Sequence, residues 1–188
     1  MLNILRERMA VSPHAVAAMS GDAAVLMAVT DEALPQLILT LRAQHLNAHA
    51  GEVAFPGGKR DATDASLAAT ALRESQEEIG LDPALVQLLG PSRLRRSRWG
   101  LQVRPFVGIV PADVRLAPSA DELERIFRVP LAHFVERANL QIQTIERDGR
   151  PWQAPCYDWQ GTQIWGLTAI MIVDLLNDVY DFGVEIWR

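Results

Sequence analysis

The stretch Arg73-Glu74-Ser75-Gln76-Glu77-Glu78-Ile79-Gly80-Leu81, preceded by Phe55-Pro56-Gly57-Gly58-Lys59-Arg60, decides how this chain is read. On an α-helix each residue advances about 100°, so Glu74, Glu77 and Glu78, at i, i+3 and i+4, share one narrow face. Like charges at that spacing repel and weaken a helix by a few tenths of a kcal/mol per pair. Folding alone gives no reason to collect them. A hard divalent cation, which takes oxygen ligands, does. Ala68, Leu72, Ser75 and Ile79 fall on the other side, so one face is expected to be buried and the other acidic. Thr63, Asp64 and Ser66 are candidate N-caps, and Gly80 followed by Pro83 marks the end. The predicted helix runs from about Ala65 to Ile79, with Arg73 in reach of Glu77 four residues on. A merely solvated acidic face would leave the Pro-Gly-Gly loop without a role.

The segment resembles the Nudix box, the loop–helix signature of pyrophosphohydrolases that cleave a nucleoside diphosphate linked to another group. Gly58 is followed by five residues and Asp64; eight residues separate Asp64 from Arg73, where the family usually has seven, and Ser75 occupies a usually apolar position. Asp64 is given no metal role. The run Leu37-Ile38-Leu39-Thr40-Leu41-Arg42-Ala43, continued by His49-Ala50-Gly51-Glu52-Val53-Ala54-Phe55-Pro56-Gly57-Gly58, is similar to the mark of the coenzyme A pyrophosphatase branch. Val103 to Gly108, Asp121-Glu122-Leu123, Val129-Pro130-Leu131 and Ile164 to Ala169 extend the likeness. One departure is Asn47, where the branch usually carries Arg.

The resemblance implies an α/β fold: a Nudix-type α/β/α sandwich with a mixed sheet and a loop–helix catalytic box. It implies Mg²⁺ or Mn²⁺ held by Glu74, Glu77, Glu78 and the Gly58 carbonyl, with Arg73 orienting a box carboxylate. The general base is Glu77 or, from a distant loop, Glu122; a carboxylate favoured by a helix dipole is the other reading of Glu122. Arg42 and Gly57 are expected at the substrate. The implied substrate is a nucleoside diphosphate derivative, coenzyme A or a thioester of it. The alternatives are ADP-ribose or dinucleotides, or a non-catalytic nucleotide-binding regulator.

Composition agrees with one globular domain over residues 1–188, the first 22 forming a helix and loop extension. The hydrophobic fraction is 49% and the charged fraction 22%. No apolar run long enough to span a bilayer occurs, and Arg6, Glu7 and Arg8 come too early for a signal-peptide core. The single Cys156 suits a reducing cytoplasm and reads as a core filler. A net charge of −5 argues against a nucleic-acid surface. Locally, Arg93, Arg95, Arg96 and Arg98 read either as a solubilising loop or as an anion clamp, with Arg95 and Arg96 as phosphate contacts. A homodimer is compatible with the sequence.

Strands are expected at Ala23–Val29, Leu37–Arg42, Val53–Phe55, Leu85–Leu89 and Leu101–Val110. Leu140–Ile145, Asp148-Gly149 and Trp152–Trp159 read as a hairpin. Helices are expected from near Ser119 to Phe127, from Pro130 to Arg137 and from Trp165 to Leu176. His45 and His49 read as loop or core polar residues.

Overall fold

The computed structural model describes residues 1–10, 20–45, 50–147 and 150–185. Asn47, His49, part of the expected N-terminal extension and the expected Asp148-Gly149 turn lie outside the described residues. In chain order the elements are α1 (Leu2–Met9), β1 (Ala23–Asp31), β2 (Gln36–Arg42), β3 (Val53–Ala54), β4 (Gly57–Lys59), α2 (Leu67–Ile79), β5 (Gln87–Pro91), β6 (Arg95–Arg96), β7 (Gln102–Pro111), β8 (Leu123–Pro130), α3 (Leu131–Val135), β9 (Leu140–Arg147), β10 (Arg150–Trp159), β11 (Thr162–Ile164) and α4 (Gly166–Tyr180).

The sequence of β1 is almost continuously apolar because both of its faces are covered. Ala24, Leu26 and Ala28 meet Leu67, Ala68, Ala71 and Ile79 of α2. On the opposite face Ala23, Met27 and Val29 share a core with Leu5 of α1 and with Met171, Ile172 and Leu175 of α4. The result is an α/β/α sandwich, as the resemblance implied. The sheet is mixed: β1 runs parallel to β7 and antiparallel to β2, and the order along its main path is β3-β2-β1-β7-β5. A second, three-stranded sheet, β11-β10-β9, closes over α4 through Tyr157 and Ile164. Cys156 is buried there, as a core filler should be.

The expected helix from Ser119 to Phe127 is replaced by β8. Asp121, Glu122 and Glu124 imitate a helix first turn, but the continuation Ile126-Phe127-Arg128-Val129 suits a pleated surface. The deciding partner is remote: β2 has an open edge, and β8 fills it with Leu39 against Phe127 and Leu37 against Val129. Ser119 and Ala117 instead close the end of α2, donating their backbone N–H groups to the carbonyls of Glu78 and Ile79.

Candidate active site

The box is built from two pieces that the sheet brings together. The first is the turn after β3. Phe55 is buried, Leu26 donates its N–H to the Pro56 carbonyl at 2.8 Å, and Gly57 and Gly58 pair with Val25 and Ala24. Gly57 adopts φ 153°, and a Cβ there would lie 2.5 Å from the Val25 Cα. At Gly58 a Cβ would lie 2.5 Å from the Glu74 carboxylate. Gly57 therefore lets the turn close on β1, and Gly58 lets a carboxylate settle directly on the strand backbone.

The second piece is α2. Ser66 caps it, its Oγ accepting from Ala69 N at 3.1 Å, so the helix starts at Leu67 rather than Ala65. Gly80 ends it in the left-handed region at φ 66°. Within that frame Arg73 is the centre of a web. Its Nε donates to Asp64 Oδ1 at 3.0 Å and its Nη2 to Asp64 Oδ2 at 3.0 Å. Its Nη1 reaches Glu77 at 2.9 Å, and Nη2 lies 3.0 Å from Glu74. The Arg73 hydrogen bonds hold the Asp64 carboxyl well below the usual carboxylate range and push the guanidinium up.

Glu78 is buried and accepts from Gly57 N at 3.1 Å, while Arg42 Nη1 stands 3.9 Å away. Its pKa is pushed up to about 7, first by burial; Glu122 and Glu74 add to the rise, and Gly57 N–H and Arg42 oppose it. Burial likewise raises Glu74, with Arg73 opposing and Glu77 and Glu122 adding. Glu122 thus faces the box electrostatically, although 44 residues lie between it and Glu77. The bond from Ala43 N to the Glu122 carbonyl, 2.9 Å, brings its segment beside Arg42.

Glu74, Glu77, Glu78 and Glu122 therefore stand against two cations, Arg73 and Arg42. Among the described residues no three His, Cys, Asp or Glu side chains are gathered as a ready cation cage. Glu74 and Glu77 are drawn to Arg73, and Glu78 to Gly57. The donor set still fits a hard cation. It is all oxygen, burial raises the pKa values of two of its carboxyls and neighbouring carboxylates add to the rise, and Mg²⁺ uses few carboxylates together with waters and substrate phosphates.

The arginine cluster does not converge on this site as an anion clamp. Arg95 is locked to Asp174 of α4, the carboxylate buried and the guanidinium partly so, and Arg93 pairs with Asp178. α4 lies on the sheet face opposite α2, so the expectation that Arg95 contacts substrate is corrected: its charge is already matched there. Arg96, one residue on, points to the α2 face by strand alternation and is exposed. β4, β1, β7 and β6 follow one another across this end of the sheet, three spacings or roughly 14 Å. Two residues with defined places in this arrangement were missed in the sequence: Asp64 as the seat of Arg73, and Thr70, whose hydroxyl meets Asp64 at 2.9 Å. His45 Nε2 lies 3.1 Å from the Asp121 carbonyl.

A mixed sheet between helices presents a Gly-Gly turn to a carboxylate-bearing helix. The NUDIX domain matches residues 20–159, and the chain belongs to the Nudix hydrolase family. A relative in Yersinia pestis (strain Pestoides F), named as an uncharacterized Nudix hydrolase, NudL, is 38% identical over 166 residues, which are 88% of this chain and 83% of that protein. A MutT/nudix family protein from Enterococcus faecalis superposes with a TM-score of 0.54 at 16% identity, covering 87% of this chain and 63% of that one. RenU, a Nudix hydrolase from M. smegmatis, gives 0.51 at 18% identity, covering 60% and 72%. The two structures speak for the fold. Nudix hydrolases generally use divalent cations such as Mg²⁺ or Mn²⁺. No helix among the described residues is long and apolar enough to cross a membrane.

Proposed function

We propose that this enzyme hydrolyses the pyrophosphate of coenzyme A or its thioesters, releasing 3′,5′-ADP and 4′-phosphopantetheine or its acyl form. The observation that carries the reading is the continuity of one sequence block with one piece of structure. The Leu37–Gly58 motif supplies β2, β3 and the Gly57-Gly58 strand, and its Arg42 ends beside Glu78. Glu74, Glu77, Glu78 and the Gly58 carbonyl would hold Mg²⁺ or Mn²⁺. When bound, the cation neutralises phosphoryl oxygens and makes water a better nucleophile.

The chain's own residues do the rest. Arg42, whose Nε is buried with no acceptor among the described residues, offers its guanidinium edge to phosphate oxygens. Gly57 lets the turn close on β1, and Gly58 makes room for the Glu74 carboxylate. Arg73 holds Glu74 and Glu77 in place. Glu122 receives the proton of the attacking water; Glu77 is the alternative base. Arg96 is the member of the arginine cluster placed to meet a distal phosphate on the α2 side.

The test is a screen of coenzyme A, ADP-ribose and dinucleotides with products identified by mass. Coenzyme A is expected to be cut at the pyrophosphate. Dephospho-coenzyme A is expected to have kcat/KM lower by roughly one to two orders of magnitude, the scale of a lost Arg–phosphate contact. Faster turnover of ADP-ribose or a dinucleotide overturns the substrate while leaving the pyrophosphohydrolase chemistry standing. A selective gain for coenzyme A in Asn47→Arg then identifies that position as the cause.

For the base, Glu122→Gln is expected to reduce kcat by about two orders of magnitude with KM little changed, the pattern of a group acting in the transition state. Wild-type kinetics at every pH return the role to Glu77.

A further inference from the structure

The web around Arg73 does not end at Asp64. Asp64 Oδ2 accepts from the Asp61 backbone N–H at 2.9 Å and from the Thr70 hydroxyl at 2.9 Å. Thr70 is fully buried and Asp64 nearly so. An ionised carboxylate only accepts, so Thr70 is the donor. A mid-helix threonine ordinarily turns its hydroxyl back to the carbonyl four residues earlier. That carbonyl, Ser66 O, is in reach at 3.2 Å. The one hydroxyl hydrogen serves the better acceptor, and the charged carboxylate is both nearer and stronger.

The geometry points to Thr70 as a positioning residue for the hydrolytic reaction: by fixing the Asp64 carboxylate it fixes the plane of the Arg73 fork, and through it Glu74 and Glu77. The chain of contacts is unbroken. Thr70 Oγ1 meets Asp64, Asp64 takes both Nε and Nη2 of Arg73, and the same guanidinium holds Glu74 at 3.0 Å and Glu77 at 2.9 Å. Three donors converge on Asp64 Oδ2 from three backbone positions, Asp61, Thr70 and Arg73, so its orientation is over-determined. A capping role would not need this, because Ser66 already caps the helix. The neighbouring loop is tied to the same carboxylate residue, since Arg60 Nη2 donates to the Asp64 carbonyl at 3.1 Å. Removing the hydroxyl leaves the shape of the core almost unchanged but takes from Asp64 Oδ2 one of its three donors, and the small shift in the carboxylate this allows is carried through Arg73 to two glutamates of the site. Small misplacements of reacting groups cost large factors in rate.

The inference rests on the roles proposed above for Glu74 and Glu77, so the experiment carries a control for them. Thr70→Val is compared with Thr70→Ser, Glu77→Gln and Arg73→Lys, using the nucleoside diphosphate derivative the wild type turns over best. Thr70→Val is expected to lower kcat about tenfold with substrate KM nearly constant, and Thr70→Ser to restore it to within about twofold. On the Arg73→Lys background, Thr70→Val is expected to add almost nothing, because the fork through which it acts is already gone. If Thr70→Val lowers the melting temperature but leaves kcat per folded molecule unchanged, the positioning role is wrong. Full additivity with Arg73→Lys is equally fatal to it. If Glu77→Gln itself is fully active, the underlying reading of the box fails instead, which is a different result and is recognised by that control alone.

Discussion

Glu77→Gln is expected to lower kcat by at least about two orders of magnitude while the protein stays folded, the scale of losing a major electrostatic or acid–base contribution. Glu77 is the most exposed of the three box glutamates, its side chain 59% accessible, and it pairs with Arg73 Nη1 at 2.9 Å. An exposed i,i+4 pair is worth little to stability, and the substitution also removes a negative charge next to Glu74. The melting temperature should therefore hold or rise slightly. The measurement is kcat at saturating divalent cation beside a thermal melt of the same preparation. A folded Glu77→Gln enzyme with full turnover ends the mechanism proposed here, as does a wild type that keeps its rate after exhaustive chelation. The coexistence of a silent melt and a large kinetic loss is what separates a residue kept for chemistry from one kept for the fold.

The parts of this molecule that were legible in its sequence are those whose physics is local. The i, i+3, i+4 spacing of Glu74, Glu77 and Glu78, the left-handed stop at Gly80 and the Arg73–Glu77 pair all act within one helix. The apolar runs of β1 and β7 were equally plain, because a strand buried on both faces needs no knowledge of its partners to be recognised. Where the outcome depended on a remote partner, local pattern misled. Asp121, Glu122 and Glu124 look like a helix first turn, and only the open edge of β2, some 80 residues earlier, makes their continuation a strand. Asp64 was visible as a candidate cap; its pairing with Arg73, nine residues on, required the loop to fold back over the helix. Glu122 was marked as catalytic on resemblance, and its electrostatic reach to Glu74 and Glu78 depends on β8 docking against β2. Its catalytic role awaits the Glu122→Gln kinetics.

The arginine cluster gives the sharpest form of this lesson, and the largest stability prediction. Four arginines in six residues, Arg93 to Arg98, invite an anion from outside. Two of them find carboxylates inside the protein, 79 and 85 residues later, on α4. Asp174 is buried at 2% exposure in a helix otherwise packed with Met171, Ile172, Val173 and Leu175, where an unpaired charge would be very costly. It is retained there because Arg95 meets it with a bidentate fork. Asp174→Ala is expected to lower stability by about 3 kcal/mol, the lower end for breaking a buried pair. That corresponds to a fall in melting temperature on the order of 10 °C for a chain of this size. The lower end applies because the Arg95 side chain, 13% accessible, has a path back to water. Arg95→Met combined with Asp174→Leu should recover most of the loss, since removing both charges leaves nothing uncompensated. Urea melts of the two variants decide the matter. Were Arg95 instead a phosphate contact with Asp174 incidental, Asp174→Ala would melt like the wild type and the paired apolar variant would fail in substrate binding rather than recover in stability. The pair also bears on the site: it fastens β6 to α4 on the far face of the sheet, so of these two residues Arg96 alone is left for the phosphate contact proposed above.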